Sequence, residues 1–69
     1  MQTDAKRKDS VRVVERTIDI LQTFTAEKQE LSLSEVALAA NLPKTTAYRI
    51  LSTLEQRNLV VLDTQQAKY

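Results

Sequence analysis

"ALAANLPKTTAYRIL", residues 37–51, decides how the chain is read. A run of small and apolar residues ends at Asn41, Pro43 follows, and a second run opens with Lys44, Thr45, Thr46, Tyr48 and Arg49. Proline cannot continue a helix, but its fixed φ suits the start of one, so two helices meet here across a tight turn. Asn41 occupies that turn, where a left-handed residue is needed and asparagine is the best substitute for glycine. Ala37 is small where a second helix must cross closely, and Ala47, Ile50, Leu51 and Leu54 fall on one inward stripe. A short helix, a tight turn and a second helix that is polar from its N-terminus describe a helix-turn-helix.

Working outward, Ser34 is a natural N-cap for the first of these helices, with Glu35 in its first turn and Val36, Ala37 and Ala40 as a narrow buried face. "LSLS", 31–34, alternates apolar and polar and predicts a very short strand. Val11, Val14, Ile18, Leu21 and Phe24 recur at spacings of three and four, predicting an earlier amphipathic helix over about 11–25 that Ser10 could cap. Its stripe reads as core, leaving the apolar Val13 and Ile20 outside it. The polar-faced helix is predicted over about 44–57, closed by Asn58 in a left-handed conformation. "LVVL", 59–62, reads as a short strand, "DTQQA" as a turn and Lys68–Tyr69 as the start of a returning strand. A hairpin without partner length is marginal, so the chain is expected to be a fragment of something longer. Residues 1–10 are polar and unpatterned, an expected disordered basic arm before a domain over 11–69.

Composition narrows the function. At 69 residues the chain holds one small core with little area for a second site. With 0 Cys and 0 His it lacks a thiolate nucleophile and the commonest metal ligand and general base, and no convergent set of carboxylates stands in for them. An enzyme, a metal site and a cofactor are therefore not expected. The apolar run at 59–62 is far too short to span a bilayer, and no apolar stretch follows the basic N-terminus, so a cytoplasmic location with no membrane partner is expected. The net charge is +1, but it is unevenly spread. Lys6, Arg7, Lys8, Arg12 and Arg16 against Asp4, Asp9 and Glu15 give +2 over residues 1–16. Lys28 against Asp19, Glu27, Glu30 and Glu35 gives −3 over 17–35, and Lys44, Arg49 and Arg57 against Glu55 give +2 over 36–58. The polar-faced helix thus sits in a locally basic segment, suited to a polyanion on one face.

"SVRVVERTIDILQTF", "LSLSEVALAANLPKTTAYRILSTLEQRNLV" and "AKY" together resemble the N-terminal DNA-binding domain of the IclR family of bacterial transcriptional regulators, over nearly all of Val13 to Tyr69. The resemblance implies a mainly α winged helix-turn-helix, three helices plus a small β-hairpin wing, here truncated at the C-terminus. It also implies a larger C-terminal domain, missing from this chain, that binds a small-molecule effector and helps form dimers. Helix 1 would contribute to contacts between DNA-binding domains, so the exposed parts of Val13, Thr17 and Ile20 are expected at the dimer interface. Ala67 stands at the wing tip where a glycine is frequent, a departure that bears on the wing's turn.

In a helix-turn-helix the N-terminal residues of the second helix enter the major groove. With Ala47, Ile50, Leu51 and Leu54 inward, the outward positions are Lys44, Thr45, Tyr48, Arg49 and Ser52, with Thr46 to one side. Arg49 is the first choice for reading a guanine, although alone it would pass for a solvated surface residue. Thr45 and Tyr48 offer hydroxyls to bases or phosphates, while Lys44 and Thr46 suit phosphates. The Tyr48 ring has the alternative of tucking against a neighbouring helix. Ser32 and Ser34 sit at the entrance to the first helix of the pair, where backbone N–H groups could hold a phosphate; Ser34 serves as a cap, as part of that phosphate site or as both, and Lys68, with Gln65 and Gln66, is placed to meet a phosphate from the wing. Lys6, Arg7, Lys8 and Arg12 suit either a minor-groove arm or a solvated tail. Double-stranded operator DNA, bound by a dimeric regulator that acts as a repressor, is the expected partner. The rival is a winged-helix protein–protein module, which should expose large apolar residues where Lys44, Thr45 and Arg49 stand.

Overall fold

The structure, a computed structural model, describes residues 10–69. Lys6, Arg7 and Lys8 of the expected basic arm lie outside the described residues. Three helices follow one another, α1 (Arg12–Leu21), α2 (Leu33–Ala40) and α3 (Lys44–Gln56), as the apolar periodicity requires. Each packs against the other two. One core of Ile20, Leu31, Val36, Ala37, Ala47, Ile50, Leu51 and Leu54 sits between them, with Phe24, Leu42 and Tyr69 packed at its margin.

The turn between α2 and α3 forms as its residues dictate. Asn41 is left-handed at φ 58, and the Leu42 N–H donates to the Ala37 carbonyl at 2.9 Å while the Asn41 N–H donates to Leu38. Those two bonds close a Schellman motif, and Pro43 at φ −60 begins α3. The same device ends α3. Asn58 is left-handed at φ 65, and the Leu59 N–H reaches back to the Leu54 carbonyl at 2.8 Å.

The start of α2 corrects the expected cap. Ser32, not Ser34, is the N-cap: its hydroxyl accepts from the Glu35 N–H at 3.1 Å and the Glu35 carboxylate accepts from the Ser32 N–H at 2.8 Å. Ser32 and Glu35 have the spacing of a capping box, which Ser34 does not share because Ala37 stands three residues after it. The hydrogen bond from the Ser32 backbone holds the Glu35 carboxyl below its ordinary pKa, with the Ser32 hydroxyl and the Lys68 charge acting in the same sense. A lowered pKa stabilises the fold above the unfolded glutamate value of about 4.3, and that stability is lost as the pH falls through the depressed value. Thermal melts of wild type between roughly pH 3 and 5 are expected to show a loss that Glu35→Gln does not share.

Helix α1 departs further from expectation. It begins at Val11, which has no side-chain cap, so Ser10 does not cap it. Ile20 is fully buried, whereas Val11, Val14, Ile18 and Leu21 of the expected core stripe are exposed. The helix carries two apolar stripes, and the smaller one through Ile20 toward Phe24 is the one that meets α2 and α3.

The expected strands do not form. Among the described residues the extended pairing consists of two isolated antiparallel bridges, Ser32 with Lys68 and Asp63 with Lys68. Residues 59–62 form no strand or bridge, so the hairpin wing is absent as regular sheet among the described residues. Backbone bonds nonetheless tie Tyr69 to Leu31 in both directions, at 2.8 and 3.2 Å, and Asp63 to Lys68 at 2.7 and 3.2 Å. The Asp63 carboxylate accepts from the Gln65 and Gln66 N–H groups and shapes the turn between them. Ala67 completes that turn at φ 55. An alanine there bears the left-handed penalty that glycine avoids, so Ala67→Gly is expected to stabilise the domain by about 0.5–1 kcal/mol. A thermal melt should show this as a rise of about 2–8 °C. A fall would mean that the turn is not held at positive φ.

Candidate nucleic-acid interface

With Ala47, Ile50, Leu51 and Leu54 all buried, the helical period fixes the outward face of α3. Lys44, Thr45, Tyr48 and Arg49 stand exposed on it, and Thr46 and Ser52 are half-buried at its sides. Four polar or cationic side chains thus share the N-terminal half of one helix, with no carboxylate among them. Tyr48 is 54% exposed, which leaves its hydroxyl open to solvent on this face. A shallow depression lies across this face, lined by Lys44, Thr45, Tyr48, Arg49 and Leu33. Leu33 is the residue that the sequence reading passed over. Its place at the first position of α2, across from the start of α3, is visible only once the turn is folded.

Ser34 is exposed in the first turn of α2 and is not its cap. N–H groups of that first turn without intrahelical partners point outward from the same end of the helix. Lys68 is half-buried and is tied by its backbone to both Ser32 and Asp63. Its charge acts on Glu35, so it sits in mixed rather than basic company. The Tyr69 hydroxyl is pushed above its ordinary pKa by burial first, then by its electrostatic interactions with Tyr48 and Glu55. Tyr69 packs at the margin of the core.

The expected interface residues on α1 separate. Val13 is exposed, Thr17 is half-buried with its hydroxyl donating to the Val13 carbonyl at 2.7 Å, and Ile20 has no surface to offer a partner. Contrary to expectation Ile20 is not an interface residue, because it is the buried residue through which α1 joins the core. Besides Val13, the exposed apolar residues here are Val11, Val14, Ile18 and Leu21, on the side away from Ile20.

Among the described residues no three His, Cys, Asp or Glu side chains gather as a metal would require. No helix among them is long and apolar enough to cross a membrane. Comparison with known proteins gives one family: the model for the IclR helix-turn-helix domain matches residues 13–64. No curated protein matches the chain.

Proposed function

The chain belongs to the IclR helix-turn-helix family, and from that premise we propose that it binds double-stranded operator DNA sequence-specifically, with α3 in the major groove. Family membership supports a DNA-binding regulatory role in general. The observation that carries the finer reading is the exposed, acid-free face of Lys44, Thr45, Tyr48 and Arg49 at the N-terminal half of α3. Arg49 grips a guanine edge, Thr45 and Tyr48 offer hydroxyls, and Lys44, Thr46, Ser52 and Ser34 hold flanking phosphates and set the register. Lys68, with Gln65 and Gln66, meets the backbone from the turn at 63–68, the rudiment of a wing. The protein acts in the cytoplasm as a repressor.

Selection from a random duplex pool tests the reading. The expected result is an enriched, two-fold symmetric motif. A pool that stays unenriched would favour the protein–protein module instead.

The operator's symmetry calls for two copies, and α1 supplies the surface to join them. Val14 and Ile18 stand two residues either side of Arg16, and Val11 and Leu21 five either side. Two antiparallel copies of α1 therefore bring Val14 onto Ile18 and Val11 onto Leu21, with Arg12 of one near Asp19 of the other. Ile18→Glu is expected to leave the circular dichroism unchanged, since Ile18 is 46% exposed. It should shift sedimentation equilibrium toward monomer by about ten-fold or more, by placing a charge in an apolar contact. An unchanged association constant would place the dimer contact elsewhere.

A further inference from the structure

The depression across the reading face has a property its residue types conceal. Lys44, Thr45, Tyr48 and Arg49 contribute only apolar surface to it, and Leu33 completes the lining from α2. The charged ends of Lys44 and Arg49 and the hydroxyls of Thr45 and Tyr48 must then project around a hydrocarbon cup. Such a cup is out of place on a face that meets only phosphates and hydrogen-bonding base edges, because it would leave apolar surface against polar groups.

We propose that this cup receives the C5-methyl group of a thymine, so that Leu33, Thr45 and Tyr48 select thymine at one position of each half-site. The inference rests on the DNA-binding reading above. In the major groove, guanine, cytosine and adenine present only donors and acceptors, while thymine presents a methyl group beside its O4 acceptor. The cup matches that pair of features. It offers apolar surface for the methyl and, at its rim, the Thr45 hydroxyl for O4. The same rim argues against an apolar protein side chain as occupant, since two of the five residues that line the depression, Lys44 and Arg49, are cations.

The test uses the best duplex that the protein selects from a random pool. Each thymine is replaced singly by deoxyuridine, which removes the methyl group and nothing else. Binding is then measured by fluorescence anisotropy for wild type and Tyr48→Ala, a substitution at an exposed position. We expect one thymine per half-site whose replacement weakens wild-type binding about four-fold, the contribution of one buried methyl. Tyr48→Ala should bind the thymine and deoxyuridine duplexes alike. Wild-type binding that ignores every replacement would overturn the cup's role and leave the DNA-binding reading standing. A methyl effect that persists in Tyr48→Ala would likewise overturn it, by placing the contact elsewhere. A protein that selects and binds no duplex would sink both, and would leave the cup to a protein partner.

Discussion

Leu51→Ala is expected to remove most or all of the domain's stability. Leu51 has no exposed surface, lies at the middle of α3 and packs in a core of eight buried residues among those described. Truncating a buried leucine costs about 2–5 kcal/mol, from lost transfer free energy and from the cavity left behind. A 69-residue domain has roughly 3–10 kcal/mol in total, at the usual stability per residue. Thermal and urea melts followed by circular dichroism should show the variant largely unfolded or melting far below wild type. Leu38→Ala is the control, because Leu38 is 84% exposed and its loss should cost within about 0.5 kcal/mol. A Leu51→Ala melt within a few degrees of the control would mean that α3 does not anchor the core.

Arg49→Ala is expected to leave the fold intact and to remove base discrimination. Arg49 is exposed, and its backbone role, accepting from the Thr53 hydroxyl at 3.1 Å through its carbonyl, survives the substitution. A bidentate arginine–guanine contact contributes about 1–3 kcal/mol of preference over the wrong base. Competition binding should therefore show the selected duplex losing about 5- to 150-fold of its advantage over a guanine-substituted one. Non-specific affinity should fall much less, by the loss of one cation. Lys44→Ala provides the contrast, weakening all duplexes about equally, as a phosphate contact does. An Arg49→Ala protein with undiminished preference would assign the reading to another side chain.

These expectations separate what the sequence made legible from what only folding revealed. The helix-turn-helix was legible because several local signals agree. Asn41 and Asn58 mark left-handed closures, Pro43 marks a start, and the α3 stripe has one clear inward face. The start of α2 was legible in principle, since Ser32 and Glu35 carry the capping-box spacing, but Ser34 was the nearer hydroxyl to the apolar run. The buried face of α1 was not. Two apolar stripes share that helix, and periodicity alone gives no reason to prefer the one through Ile20 over the one through Ile18. The choice depends on where Leu31, Val36 and Leu51 come to lie, which is long-range information. The strands failed for a related reason: "LVVL" has strand composition, but a strand needs a partner, and pairing stops at isolated bridges through Lys68. Leu33 escaped notice on the reading face because its neighbourhood with Tyr48 exists only across the folded turn.

The measurement that tests the central claim most directly is the salt dependence of duplex binding by the wild-type protein. Fluorescence anisotropy of a labelled selected duplex, titrated at several salt concentrations, gives the slope of log K against log[salt]. If each domain neutralises about four phosphates, through Lys44 and its neighbours on α3 and α2, the slope should be about −3.6 per domain. Saturable binding with a slope near that value is the predicted result. Binding that is absent, or that does not weaken as salt rises, would contradict the account and return the α3 face to a protein partner.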